Sequence, residues 1–321
     1  MDIITQATLG AGIGELFLGR KIGNKGTLYG MMLGALPDMD VPLSMLFNDA
    51  TGLLIRRGFS HSIAFALLAG VLFAVMWRRL PLTRELSIWR MLAFSILTLL
   101  AHITLDAFNP LGVQLFAPFS PERISFRSLD MVDPALTLCL LVGVGAAIFM
   151  RKRNPKSHRF AIMALVVAAV YVAASQGIKV KVEDAFIEAM EKHHITCDRY
   201  TTVPYGAGVS QWMCMALDGD ELIMAPFSQI DFEEPFTRFQ RDSALLAQVP
   251  DPLGYALKWV SNGYFTISHS ANGQLEFYNV LCDSQGMRPT TDGTAPTAFY
   301  YILSPNDGES FETGYHERIQ E

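Results

Sequence analysis

Long apolar runs fill the first half of the chain and alternating patterns fill the second. Residues 3–19 form a Gly-rich apolar stretch with two strongly polar interruptions, Gln6 and Glu15. A second apolar helix over 27–36 is halted by Pro37 in Leu36-Pro37-Asp38-Met39-Asp40-Val41-Pro42, and 43–47 resumes it. The runs 61–77, 88–108, 131–150 and 159–178 approach or reach the ~20 residues that cross a hydrocarbon layer. Ser60, in Gly58-Phe59-Ser60-His61-Ser62, reads as the N-cap of the third helix. Past residue 179 the pattern changes. An amphipathic helix near 180–195 is followed by alternating runs around Asp218-Gly219 and Asn272-Gly273, dipeptides suited to hairpin turns, with helical patches at 242–248 and 252–261. The pattern predicts a mostly α membrane protein. A helical bundle of about six spans, the first two partial, occupies 1–178, and a small α+β extramembrane domain occupies 179–321.

Composition and charge sharpen that division. Hydrophobic residues make up 50% of the 321, and mean hydropathy is +0.26, above a typical soluble chain. Residues 1–178 carry 16 Lys+Arg against 10 Asp+Glu, whereas 179–321 carry 9 against 21. The acidic second half argues against nucleic acid as a partner. Twelve basic residues (Arg20, Lys21, Lys25; Arg78, Arg79, Arg84, Arg90; Arg151, Lys152, Arg153, Lys156, Arg159) fall in alternate loops. Only Arg56, Arg57, Arg123 and Arg127 fall in the others. The positive-inside rule then places the basic loops in the cytoplasm and the tail outside. Four cysteines (Cys139, Cys197, Cys214, Cys282) have no zinc-ribbon spacing, and one pair in the tail can bridge if it lies outside the reducing cytosol.

This topology also assigns depth. His102 and Asp106 occupy the last two turns of the fourth helix, one above the other and roughly 6 Å apart along its axis. Gln6, Asp38, Asp40 and His61 reach the same outer face from other helices, and Asp133 opens the fifth. Ionisable groups inside a span are costly and point to function. Two imidazoles and several carboxylates at one level suit Zn, with Mn or Fe as alternatives, better than Ca. A bound ion offsets carboxylate burial and lowers the pKa of bound water toward ~7. Asp38 or Asp40, where not a ligand, is then a general base. Ser60, Arg57, Arg123 and the other outer arginines are candidates for supporting or anion-binding roles. Asp133-Pro134 also reads as a plain helix entry, and Glu15, about 13 Å deeper than Gln6, as a partner for Arg20 or Lys21.

The segments Asp2-Ile3-Ile4-Thr5-Gln6-Ala7-Thr8-Leu9-Gly10, Gly14-Glu15, Leu36-Pro37-Asp38-Met39-Asp40, Arg57-Gly58-Phe59-Ser60-His61-Ser62, His102-Ile103-Thr104-Leu105-Asp106, Phe116-Ala117-Pro118-Phe119-Ser120 and Val132-Asp133-Pro134 occur in order across most of residues 1–150. As a set they resemble the YdjM-like bacterial inner-membrane, metal-dependent hydrolases. The tail is more loosely similar. The resemblance implies a membrane-embedded helical hydrolase domain, distantly grouped with zinc-dependent phospholipase C. Asp38, Asp40, His61, His102 and Asp106 would be its metal-site residues. Many relatives carry histidine where this chain has Gln6, so an amide stands at a ligand position.

Three functions compete at this point. The first is a metal-dependent hydrolase at the outer face of the inner membrane, acting on a membrane lipid or a lipid-linked ester or phosphodiester. The second is a transporter or ion pathway using the same cluster, which requires polar groups on both halves of the membrane. The third is a non-catalytic anchor displaying the tail.

Overall fold

The computed structural model describes residues 1–154, 156–206, 208–270, 273–281, 296–297, 299–304 and 307–315, about half of them helical. The helices are α1 (Ile3–Gly14), continued by a π-helical turn Glu15–Gly19, α2 (Arg20–Ile22), α3 (Asn24–Gly34), α4 (Asp40–Ser44), α5 (Asp49–Ile55), α6 (Ile63–Arg78), α7 (Ile88–Ala107), α8 (Pro134–Met150), α9 (His158–Lys192), α10 (Ser243–Leu246) and α11 (Leu253–Val260). Eight strands follow: β1 (Arg199–Pro204), β2 (Trp212–Asp218), β3 (Glu221–Pro226), β4 (Thr237–Gln240), β5 (Phe265–His269), β6 (Leu275–Asn279), β7 (Phe299–Leu303) and β8 (Glu312–Tyr315). The chain divides into two compact units. The first comprises Met1–Val41, Arg57–Phe126 and Met131–Ala174; the second comprises Pro42–Arg56, Arg127–Asp130 and Ser175–Glu321.

Helix length supports fewer spans than the apolar runs suggested. Among the described residues α7 and α9 are long and apolar enough to cross a membrane, and Asp49–His61 with Ile63–Arg78 makes a third if it is one broken span. α8 is shorter, at 17 residues. α1 has 12 residues, and the π turn and α2 carry the same helix on to Ile22. The difference arises where apolar runs contain breaks: Gly23, at φ +66°, separates α2 from the 11-residue α3. In the opposite sense, no break divides 159–178 from the amphipathic stretch expected at 180–195. Both lie in the 35-residue α9, with Lys179 and Glu183 paired at 2.7 Å.

In the first unit, α1 and α3 meet backbone to backbone. A Cβ added at Gly30 would lie 2.1 Å from the Gly10 carbonyl oxygen, and one at Gly34 would lie 2.7 Å from that of Gln6. Small residues four apart on both helices, Gly10 and Gly14 against Gly26, Gly30 and Gly34, make this approach possible. Beside the seam, Trp77 stacks on Tyr29 at 5.2 Å and on Phe94 at 5.3 Å, in a core with Leu33, Met91, Leu99 and Ile103.

Glu15 is fully buried. Its partners are Arg151, which also donates to the Gly19 carbonyl at 2.7 Å, and Thr27 at 2.8 Å; Arg20 and Lys21, expected from sequence, do not pair with it. Removing one member of a buried pair leaves an uncompensated charge. Arg151→Met is therefore expected to cost about 3–5 kcal/mol, and Glu15→Leu/Arg151→Met to recover most of it. Thermal unfolding of the detergent-solubilised variants reads both.

The second unit holds two antiparallel meanders, β1-β2-β3-β4 and β5-β6-β7-β8. Asp218 pairs with Glu221, so the β2–β3 turn is Gly219-Asp220, one position later than expected, with Gly219 at φ +55°. In the β5–β6 hairpin His269 pairs with Leu275 and Gly273 has φ +80°; Asn272 lies outside the described residues. Residues 49–55, between the second and third apolar runs, form α5 with Asn48 as its N-cap. Its Ala50 and Leu53 pack with Leu253, Leu257, Phe265 and Phe277. Ala50 N–H donates to the Glu309 carbonyl at 3.0 Å, and Phe311 N–H to Asp49 at 3.1 Å. Cys139, Cys197 and Cys214 are free thiols, and burial pushes the Cys214 thiol up, which keeps it unreactive. Cys282 and His316 lie outside the described residues.

Candidate metal centre

Three local devices bring the polar residues of the first unit together. Pro37 opens a 3-10 turn, Pro37–Met39, that places Asp38 and Asp40 on either side of Met39. Arg57 takes φ +55°, an uncommon conformation for a residue with a side chain, and aims its N–H at Asp40 Oδ2, 2.7 Å away. A second 3-10 turn, Phe59–His61, delivers His61 just before α6. The α6 cap is Ser62, whose Oγ accepts the Phe65 N–H at 3.0 Å. Ser60, the expected cap, instead donates to Asp40 Oδ2 at 2.8 Å. The last two turns of α7 supply His102 and Asp106.

Asp38, His61, His102 and Asp106 each offer one ligand atom, and these atoms lie within 4.8 Å of one another. His61 Nε2 stands 3.2 Å from His102 Nε2, 3.4 Å from Asp106 Oδ2 and 3.6 Å from Asp38 Oδ1; His102 Nε2 is also 3.6 Å from Asp38 Oδ1. Four ligands at about 2.0–2.1 Å around a tetrahedral ion are separated by about 3.3–3.4 Å, so the spacing fits a metal shell. The second nitrogen of each ring fixes its tautomer. His102 Nδ1 donates to the Gly34 carbonyl at 2.6 Å, an oxygen left free because α3 ends there. His61 Nδ1 faces Asp40 Oδ2 at 3.1 Å. Both Nε2 atoms then present lone pairs to each other, an arrangement a cation between them relieves. Asp106 Oδ2 and Asp38 Oδ2 are buried without a hydrogen bond.

The other sequence candidates take different places. Asp40 is not among the four. It lies behind His61 and acts on the ring nitrogen that faces away from the cluster, because its Oδ2 is held by Ser60 and the Arg57 N–H. Gln6 donates to Asp106 Oδ1 at 2.7 Å and to the His102 carbonyl at 3.2 Å, so the amide steadies a carboxylate of the cluster. Asp106 Oδ1 also takes the Met1 amine. Arg57, 13% exposed, brings Nε to 3.6 Å from Asp106 Oδ2 and donates to Asn109 Oδ1. Arg123 reaches the Leu111 carbonyl at 3.5 Å, away from the cluster. Asp133 caps α8 through the Leu136 N–H at 2.9 Å and accepts from Tyr171 at 2.8 Å, the helix-entry role. Arg127 belongs to the second unit, where it donates to Thr201 at 2.9 Å and lies over the Tyr264 ring. Gly34 and Asn109 were not singled out in the sequence. The four-residue glycine spacing was the signal for Gly34; Asn109 had none.

A family model described as YdjM inner membrane protein matches residues 1–180. Inner membrane protein YbcI of Escherichia coli (strain K12) is 37% identical over 125 residues, 38% of this chain and 69% of that protein. Uncharacterized protein YfhP of Bacillus subtilis (strain 168) is 27% identical over 152 residues, 45% of each chain. The chain thus spans just under half the length of YfhP and about two thirds of YbcI. No solved structure matches.

Proposed function

Because the chain belongs to the YdjM inner membrane protein family, we propose that it is a membrane-embedded hydrolase using one divalent ion, zinc first and Mn or Fe next, at the outer face of the inner membrane. Its substrate class is a membrane lipid or a lipid-linked ester or phosphodiester. The six-span topology with the tail outside is part of this reading and rests on the loop charges.

The observation that carries it is the 3.2 Å approach of two imidazole Nε2 atoms whose Nδ1 atoms are both engaged elsewhere. Asp38, His61, His102 and Asp106 would hold the ion. When bound, a divalent ion supplies Lewis-acid polarisation of a substrate oxygen and lowers the pKa of its water toward ~7. The protein's own groups do the remainder. Asp40 holds His61 in the tautomer that leaves Nε2 unprotonated, and Gln6 holds Asp106. Asp38 meets the two imidazoles through Oδ1, and its Oδ2, which carries no hydrogen bond, would take a proton from the attacking water. The Arg57 guanidinium balances negative charge growing on the substrate. Transport needs polar groups on the inner half as well, and the buried acid there, Glu15, is engaged by Arg151 and Thr27, which favours hydrolysis.

Elemental analysis of detergent-purified protein is expected to give about one ion per chain for four ligands. Lipidomics of cells lacking the protein is expected to reveal an accumulated lipid ester or phosphodiester. Metal-free protein that recruits no ion on dialysis against zinc, manganese or iron would sink the reading. Asp40→Asn should weaken metal affinity about 10–100-fold, as for other groups that orient a ligating histidine, measured by competition with a chelating dye.

A further inference from the structure

Roughly 18 Å along α7 from His102, twelve residues nearer its start, Arg90 lines a cavity of about 720 Å³. The other lining residues are Leu16, Phe17, Arg20 and Lys21. Three of the five are cations, brought from two segments of the first unit about seventy residues apart. Among the described residues no carboxylate lies within 4.0 Å of any of them. Of the acids nearest in sequence, Glu15 is turned into the bundle and already matched by Arg151, and the exposed Glu85, five residues before Arg90, makes no ion pair with it. Three like charges therefore share a cavity with no counter-charge within 4.0 Å among the described residues.

The cavity has a second, apolar side. Phe17 packs on Phe94 at 6.4 Å, and Leu16 is 44% exposed. Both belong to the π-helical turn Glu15–Gly19, a feature that recurs at functional sites. Next to Arg90, Trp89 is 77% exposed; exposed tryptophan on an apolar helix marks the level of lipid headgroups. A cation trio beside an apolar wall, at headgroup level, and a volume inside the ~300–1,000 Å³ of small-molecule sites describe one ligand chemistry. We propose that this cavity binds the phosphate of an anionic phospholipid. Arg20, Lys21 and Arg90 hold the phosphate oxygens, and Leu16 and Phe17 meet the glycerol and the first methylenes. A soluble phosphate ester would satisfy the cations and leave the apolar wall unused. The site is separate from the His/Asp cluster and stands whether or not that cluster holds metal.

Full-length protein in phosphatidylcholine nanodiscs, titrated with phosphatidylglycerol and, in a parallel arm, with glycerol 3-phosphate, tests this; native mass spectrometry counts the retained lipid. Wild type is expected to retain phosphatidylglycerol in preference to phosphatidylcholine. Arg20→Gln/Arg90→Gln should lower that retention roughly 100-fold or more, about tenfold for each charge-assisted hydrogen bond to the phosphate removed. Arg20→Lys/Arg90→Lys keeps the charges and should stay within about twofold of wild type. Arg78→Gln/Arg79→Gln removes two exposed cations from the end of α6 and should lose only general attraction to anionic lipid, at most about fivefold per cation. Equal retention of the two lipids by wild type overturns the proposal, even if the glutamine variant fails to assemble. So does an equal loss in the Arg78/Arg79 variant. Glycerol 3-phosphate matching the lipid in potency overturns the lipid assignment in favour of a soluble anion.

Discussion

Replacing His102 by alanine is expected to empty the His/Asp cluster of metal while the protein still inserts in the membrane. Apparent binding energies of about 10–16 kcal/mol for four-ligand zinc sites put about 3 kcal/mol on each ligand, roughly a hundredfold in affinity. After dialysis against a chelator at a concentration that wild type resists, the variant should keep only a trace of its ion. It also frees the Gly34 carbonyl, a cost of about 1–3 kcal/mol, so its melting temperature falls even without metal. His102→Gln retains bulk in the cavity and should lose metal in the same way, which separates loss of a ligand from loss of packing. Elemental analysis beside membrane fractionation reads both quantities. A His102→Ala protein with the wild-type metal content would show that the ion, if present, is held elsewhere.

The second large effect is expected at a residue with no polar side chain, one helical turn from the Gly34 carbonyl. In Gly30→Ala the new Cβ would stand 2.1 Å from the Gly10 carbonyl oxygen and 2.8 Å from the Gly14 Cα, where ordinary contacts are 3.4–4 Å. Both obstacles are backbone, so no rotamer relieves them and α1 must move away from α3 by more than about 1 Å. Overpacking of this kind costs about 1–3 kcal/mol, occasionally more. The shift also separates groups that the seam aligns: the Gly34 carbonyl on α3 with His102, and Gln6 on α1 with Asp106. Metal content should therefore fall together with stability. Gly145→Ala, where nothing lies within 4 Å of the added Cβ, should change neither. If Gly30→Ala keeps full metal occupancy, the seam does not position the cluster.

His102 and Asp106 were legible because a helix repeats every 3.6 residues and an apolar run makes each polar group costly. Their neighbours were less so. Asp38 and Asp40 are equivalent in a local reading; Pro37 and the Arg57 N–H decide which one turns inward and which lies behind His61. Ser60 and Ser62 both look like caps, and only the extended backbone of Ser62 makes it one. The Glu15–Arg151 pair joins residues 136 apart, a contact no local spacing encodes. Helix length supports two or three of the six expected spans, since hydropathy sees apolar length and not the breaks within it. α5 was missed for the opposite reason: it is a seven-residue helix whose stability comes from tertiary packing rather than its own pattern.

The excursion Pro42–Arg56 leaves the first unit after Asp40, folds with the second unit, and returns at Arg57. A domain excised at residue 178 would carry that segment away with Ala50 and Leu53 stripped of their partners and the Asp49 carboxylate without the Phe311 amide. The block that the family model covers, residues 1–180, thus differs from the first compact unit, which omits 42–56 and 127–130 and ends at Ala174. The loop joining Asp40 to Arg57 is where the chain passes from one unit to the other and back, between two residues that shape the site.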